Sequence, residues 1–573
     1  MKTLLQIDFK KIKSFLDHNK IDILFIIFLT FSTTLNTLWI IQDNYLPRGD
    51  GRDFILEALD MNRNLKSFED LKTKLKRPYN YESPLMAFIF LGFYKVFGVM
   101  TKKELILNSL FLIVLLFSTY KLSEFIYDKK TALFSIIILN SFVLVVALSK
   151  RTVREFHFLA FFTLSFWLML KTNFFQNRNY SMLFAIILSL TINIIYHFPL
   201  YLFLPVSIYG IYSIRRYIYP ELKKKRFKVW LSQRFINFAL CLLIILVLGG
   251  YWYFLNFSSL LNYIKERFKG QILSPKLTTF NMLFYYLRTL FYEGLGFFYA
   301  IFLIIALILK VVKKPNFYEK LLLICFIFPN LIFLLFPDRD PSLLLPTYFV
   351  AAILISNMLL NIKIKAIKYI VITYLVFYSI TIVSTAFTGI YPYDISFFDG
   401  RFHISKTDYY RYHYRYIGVQ PPSDLPPNVE KILLYLQNTT NGDETLLFLN
   451  INIWDFWDVI NFMLAYNTLT FDRLNYTVYL VEDYSNPLNS SIGKFKENNW
   501  IVWRFPETLR SNINVIDIIK KKSADFIILY NNYPPEKEEE VRRKMKLLND
   551  NYTLIKRFTE YPIIIEIYKV KNS

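Results

Sequence analysis

The stretch Ile21–Ile41, IDILFIIFLTFSTTLNTLWII, and the segment LPRGDGRDFILEALD that begins at Leu46 decide how this chain is read. The first is long and apolar enough to cross a bilayer as a helix, which takes about 20 residues. The second turns charged almost at once. It sets carboxylates, Asp50 first among them, at a membrane face, where ionisable groups usually serve a function.

The rest of the chain agrees with a membrane setting. Of its 573 residues, 54% are hydrophobic, more apolar surface than one soluble core can cover. The formal net charge of +23 would suit a nucleic-acid binder. The basic residues, however, sit mainly in short loops between apolar runs, as the positive-inside rule requires, so no nucleic-acid partner is expected. Cys241 and Cys325 both lie in apolar runs, which argues against a disulfide framework or a cysteine metal site. The first apolar run is too long for a cleavable signal and lacks a small-residue cleavage site.

Alternation of basic loops with apolar runs gives about eleven spans over residues 1–388. The amino terminus, with Lys10, Lys11 and Lys13, is expected in the cytoplasm. Helix one is Ile21–Ile41, and a first outer loop covers 42–103. Within it, Ser83–Gly98 is apolar but short for a span, which predicts a helix lying in the outer interface. Helix two covers Leu105–Ile126, helix three Ala132–Leu148 and helix four Phe156–Leu170. Helix seven covers Phe235–Leu255, and a second large outer loop covers Asn256–Gly294. The last span, Tyr369–Phe387, exits. From about Thr388 the pattern changes: Thr445–Asn452, Ala524–Tyr530 and Tyr561–Val570 read as strands, Val515–Lys522 and Lys537–Asn549 as helices. Residues 389–573 are therefore expected to form a small extracytoplasmic α/β domain.

Four clusters could carry chemistry. In Asp50-Gly51-Arg52-Asp53, helical spacing puts Asp50 with Phe54 and Ala58, and Asp53 with Glu57. The group is either a general base toward a hydroxyl or amine or simply a helix start whose acidic first turn suits the dipole. Lys150–Glu155 sits at an outer helix boundary. There Arg151 and Arg154 either grip phosphate bidentately or snorkel into headgroups. Asp338-Arg339-Asp340 is a phosphate contact or a salt-bridged turn. His197, before Pro199, is a ligand or a satisfied core residue. Sequons begin at Asn438, Asn475, Asn489 and Asn551, as chance provides in an Asn-rich chain. No Gly-rich phosphate loop, zinc spacing or nucleophile elbow is present in the sequence.

These residues resemble the GT-C glycosyltransferases, in particular the protein O-mannosyltransferase and lipid A aminoarabinose transferase branches. DGRDFILEA from Asp50 resembles the family's D-E-x-x-Y-x-x-x-A in the first outer loop. Tyr81-Glu82-Ser83-Pro84-Leu85 followed by FIFLGFYKVFG resembles its interfacial helix, and Ser149–Leu170 its S-x-x-x-R-x-Y-x-L segment. Tyr196-His197 resembles a Tyr/Thr-His pair, and RDPSLLLPTYFVAAIL from Arg339 resembles R-Y-x-x-P-x-x-P. Gly51, Glu82 with Ser83, and Asp340 depart from the family pattern at the second acid, the basic residue with the first proline, and the late tyrosine.

The resemblance implies a mainly α-helical multi-pass protein of the plasma membrane. It implies transfer of a sugar from a polyprenyl-phosphate-linked donor to an acceptor (glycan, lipid or protein) on the outer face. Asp50 would be the catalytic base. Arg154, Arg339, Glu155, His197 and Glu82 would bind donor phosphate or substrate. A divalent cation, Mg2+ or Mn2+, would be held by Asp50 and Asp53 if both face the site. The partners implied are the lipid-linked sugar, membrane lipids and the extracytoplasmic acceptor. Two rivals stand beside it: a polytopic transporter or lipid flippase, expected to carry mid-helix charges and discontinuous helices, and a non-catalytic component of cell-envelope polysaccharide assembly.

Overall fold

The structure is a computed structural model. It describes residues 9–43, 50–75, 83–99, 103–224, 232–272, 294–335 and 341–388, then 396–397, 402–403, 435, 445–450, 477–483, 500–505, 509–511, 526–531, 549–560 and 563–571. The helices are α1 (Phe9–Gln42), α2 (Asp50–Asn64), α3 (Phe68–Leu75), α4 (Leu85–Phe97), α5 (Leu107–Ile126), α6 (Lys129–Leu139), α7 (Val143–Leu148) and α8 (Arg154–Lys171). They continue with α9 (Arg178–Ile192), α10 (Pro199–Ser213), α11 (Tyr219–Lys224), α12 (Gln233–Ile244), α13 (Tyr251–Ile272) and α14 (Phe297–Val312). Last come α15 (Phe317–Leu335), α16 (Tyr348–Leu360) and α17 (Lys365–Thr388).

Four helices are long and apolar enough to cross a membrane among the described residues: Asn19–Gln42, Leu107–Ile126, Ser342–Leu360 and Lys365–Ser384. A bent pair, Gln233–Gly249 with Tyr251–Asn262, makes a fifth if it counts as one span. Their exposed faces are apolar: Leu24, Ile26, Ile27 and Phe31 on α1, and Ile370, Phe377 and Ile380 on α17, face outward. Such surface is stable only where lipid replaces water. At the centre lies α16, whose Tyr348–Ile355 side chains are at 0% exposure; it packs against α6 and α14.

Two sequence expectations change. The predicted single helix Ala132–Leu148 is two helices, α6 and α7, broken at Asn140–Phe142. Polar side chains hold the break: Asn140 donates to Ser32 Oγ at 3.2 Å, and Ser141 Oγ donates to the Ile137 carbonyl at 2.5 Å. Helix seven does not end at Leu255. After α12 the chain makes a π-turn, Ile245–Gly249, bends by 53°, and continues as α13 to Ile272, inside the expected outer loop. Gly250 permits the turn, because a Cβ there would stand 2.6 Å from the Leu246 carbonyl oxygen. Asn193 donates to the Leu248 and Gly249 carbonyls at 3.2 and 3.3 Å, which satisfies backbone groups in a setting without water. Between α1 and α5, α2 starts at Asp50 and α4 lies within Ser83–Gly98, as the sequence suggested; α3 is additional, and α2 packs on the apolar α4.

The strands are β1 (Ser396–Phe397), β2 (Phe402–His403), β3 (Thr445–Asn450), β4 (Thr477–Asp483), β5 (Trp500–Phe505), β6 (Leu509–Ser511), β7 (Phe526–Asn531), β8 (Tyr552–Glu560) and β9 (Ile563–Val570). The last seven form one sheet in the order β6-β5-β4-β3-β7-β9-β8. Its centre, β4-β3-β7, is parallel, with Leu447 opposite Tyr479 and Ile527. The flanking pairs are antiparallel. The helix expected at Val515–Lys522 lies outside the described residues, as does nearly all of Lys537–Asn549.

Candidate functional site

The ends of α1 and α7 and the start of α8 meet in a buried cluster of charges. Asp43, one residue past α1, is 2% exposed, and its Oδ2 lies 3.1 Å from Arg151 Nη2. Trp39, one turn back on α1, is fully buried and donates its indole N–H to the Ala386 carbonyl at 2.8 Å. Against its ring lie two cations, the Lys150 ammonium at 5.1 Å and the Arg151 guanidinium at 5.4 Å. Below this layer Asn36 bonds Ser149 twice, Nδ2 to the carbonyl at 3.0 Å and Oδ1 from the hydroxyl at 3.0 Å. Its Nδ2 also reaches Ser109 Oγ on α5, at 3.2 Å. The basic turn is thus tied to α1 from two levels.

The helix α8 begins without a capping side chain: Val153 is extended, at φ −129 and ψ 125. Arg154 and Glu155 occupy its first turn. A carboxylate suits the positive end of a helix dipole and a guanidinium does not. Glu155 offsets the mismatch, with Oε1 3.4 Å from Arg154 Nε. Glu155 is buried, at 4% side-chain exposure, and Arg154 is part-buried, at 11%. Arg151 is thus turned in against α1, and Arg154 is largely covered by protein. Thr152 Oγ1 and Glu155 Oε2 are buried without a hydrogen-bond partner among the described residues.

Burial shifts the basic groups of this turn, which lies outside the spanning helices. The Lys150 ammonium is pushed down to about 7 by desolvation, with the Arg151 charge adding and Asp43 opposing. Desolvation also lowers Arg151, again against Asp43.

His197 stands in the turn before α10, half-buried, its ring 5.0 Å from Tyr196 and 6.0 Å from Tyr201. Tyr201 packs on Phe158 of α8 at 5.3 Å and donates to the Leu343 carbonyl at 2.5 Å. Leu343 lies in the short helix Pro341–Thr347, which packs on α7 and α8. The turn of His197, the start of α8 and the segment just after Arg339 therefore converge on one end of the bundle.

Asp50 and Asp53 are on the first turn of α2, three positions apart; their side chains, together with Glu82 and Arg339, lie outside the described residues. Among the described residues no group of three His, Cys, Asp or Glu could hold a metal ion. Sequence reasoning missed Trp39, Asp43 and Asn36. Asp43 lies two residues past the end of an apolar run, a position that cannot tell a solvated carboxylate from a buried one.

ArnT (lipid A aminoarabinose transferase) from Cupriavidus metallidurans matches the structure over nearly its whole length. In the apo state it aligns with a TM-score of 0.59 at 10% identity, covering 95% of this chain and 97% of that one. Its structure bound to undecaprenyl phosphate aligns equally well, over 96% and 98%. The chain shares the overall fold of this transferase. The oligosaccharyltransferase of Archaeoglobus fulgidus aligns more loosely, with a TM-score of 0.45 at 10% identity over 91% of this chain and 81% of that one. No protein-family model and no curated protein matches the sequence. The resemblance read from the sequence spans Asp50–Leu354, and the shared fold covers almost the entire chain.

Proposed function

We propose that this protein transfers a sugar from a polyprenyl-phosphate-linked donor to an acceptor on the outer face of the plasma membrane. The observation that carries the reading is the buried layer of Lys150, Arg151, Asp43 and Glu155, with the part-buried Arg154 beside it, at one end of a bundle with the fold of ArnT. Proteins bury so many charges near a membrane face when the charges bind or react. The reading includes about eleven spans, a cytoplasmic amino terminus and residues 389–573 outside.

Asp50, at the start of α2, takes the proton of the acceptor hydroxyl or amine. The acceptor atom attacks the anomeric carbon, and the bond from that carbon to the phosphate oxygen breaks. The electron pair leaves with the polyprenyl phosphate. Arg154, with Arg339, neutralises the departing charge, so the leaving group needs no proton. Glu155, His197 and Glu82 orient donor and acceptor. A divalent cation at Asp50 and Asp53 would supply further charge neutralisation at the phosphate.

The flippase reading gains from the breaks at Asn140–Phe142 and Ile245–Gly250, because transporters build sites at such breaks. Against it, the sequence has no charged residue between Lys130 and Lys150 or between Arg234 and Lys265. Reconstitution of the purified chain with a polyprenyl-phosphate sugar and a soluble acceptor separates the two. Transferase activity releases free polyprenyl phosphate and is lost in Asp50→Asn. Movement of the intact lipid-linked sugar between leaflets, without its cleavage, would overturn the proposal.

A further inference from the structure

A groove of about 380 Å³ opens at the far end of α10, lined by Ile208, Ile211, Tyr212, Arg215 and Arg216. Its walls are of two kinds. Ile211 is half exposed, at 50%, on the lipid-facing side of the helix, and Tyr212 is fixed by stacking on Phe317 at 4.1 Å. The rim is cationic, because the π-turn Ile214–Ile218 carries Arg215 and Arg216. Neither is paired with a carboxylate among the described residues. The nearest acid in sequence, Glu221, is already engaged by Arg234 at 3.6 Å and by Ser232 Oγ at 2.6 Å. Arg234 itself donates to Gln176 at 2.9 Å and lies over the Tyr217 ring at 4.6 Å. One arginine of this corner is thus consumed by the protein, and two are left facing an apolar-walled groove.

The groove is not part of the site described above. From Pro199, beside His197, to Arg215 the helix rises roughly 24 Å, close to the hydrocarbon thickness of a bilayer. The two sites therefore face opposite leaflets. The stretch after the groove is the most basic in the chain, with Lys223, Lys224, Lys225 and Arg226 in succession, which marks the cytoplasmic side.

We infer that this groove binds an anionic phospholipid of the cytoplasmic leaflet. The phosphate ester and its negative headgroup lie between Arg215 and Arg216, and an acyl chain runs along Ile211 and Ile208. Two guanidinium groups suit a phosphate diester, and basic pockets between helices on this face suit anionic headgroups. The apolar wall selects a lipid over a soluble phosphate, which would leave Ile208 and Ile211 facing water.

The test uses the full chain in mixed micelles of a neutral detergent with phosphatidylglycerol or phosphatidylcholine, with bound lipid counted by native mass spectrometry. The wild-type chain should retain phosphatidylglycerol about 10-fold over phosphatidylcholine. Arg215→Gln with Arg216→Gln should abolish the preference, and Arg234→Gln should leave it intact. Inorganic phosphate should not displace the lipid. Equal retention of the two lipids by the wild type, survival of the preference in the double variant, or displacement by inorganic phosphate would each overturn the inference. If the double variant does not fold, the wild type alone decides: phosphatidylglycerol must raise its melting temperature more than phosphatidylcholine does. None of these readouts depends on sugar transfer.

Discussion

Arg151, in the turn before α8, reaches back 3.1 Å to the carboxylate of Asp43 at the end of α1. The two are 108 positions apart in the chain, and both are buried, at 10% and 1% side-chain exposure. Removing one partner of such a pair strands the other charge, which typically costs about 3–5 kcal/mol. Asp43→Asn is therefore expected to lower the melting temperature in detergent sharply. Asp43→Asn combined with Arg151→Met should recover much of the loss. A double variant no more stable than the single one would show that the pair is not the unit that joins α1 to this turn.

The cluster also makes stability depend on pH. Lys150 has a folded pKa of about 7, well below the roughly 10.4 of an unfolded lysine. Between those values the unfolded chain binds the extra proton, so stability rises as pH rises from about 7 toward 10 and is lowest below 7. Lys150→Met removes the titrating group. Its melting temperature should exceed the wild type's at pH 6, and the gap should shrink by pH 9. A constant gap across that range would show that Lys150 does not titrate there.

The apolar helices were legible in the sequence, because lipid demands long apolar runs. Helix α5 starts within two residues of its expected position, at Leu107 in place of Leu105. The breaks at Asn140–Phe142 and Ile245–Gly250 were not legible, because apolar runs continue across them. Each is held by an asparagine bonded to a distant segment, Asn140 to Ser32 and Asn193 to Gly249, and sequence periodicity carries no record of such partners. At the site, the basic turn was visible as residues of the right type. Its burial was not, since Arg151 is explained only by Asp43 and Trp39, on a helix more than a hundred residues earlier.

Asp50→Asn keeps the side chain's volume and removes its basicity. Loss of a general base lowers turnover by about 100- to 10,000-fold, so the variant should fold and bind donor normally while product formation falls by that factor. Asp53→Asn should be milder, unless both carboxylates share a cation; in that case the two variants should fall together and added Mn2+ should shift both. Turnover near wild type in Asp50→Asn would remove the central residue of the mechanism.

Arg154 tests whether the buried basic turn grips phosphate by shape or only by charge. Its Nε lies 3.4 Å from Glu155 Oε1, which orients the guanidinium plane and spends one of its five donors. A planar fork binds two phosphate oxygens at once, and an ammonium binds as a point charge. If the fork matters, Arg154→Lys should weaken binding of the lipid-linked donor by about 10-fold or more, the worth of one charge-assisted hydrogen bond. Arg154→Ala should weaken it further. The loss should appear in the donor's KM and not in the acceptor's. Glu155→Gln, which frees the guanidinium from its orienting carboxylate, should fall between wild type and Arg154→Lys. Unchanged donor affinity in both Arg154→Lys and Arg154→Ala would move the phosphate contact to Arg339, since Arg151 is already committed to Asp43.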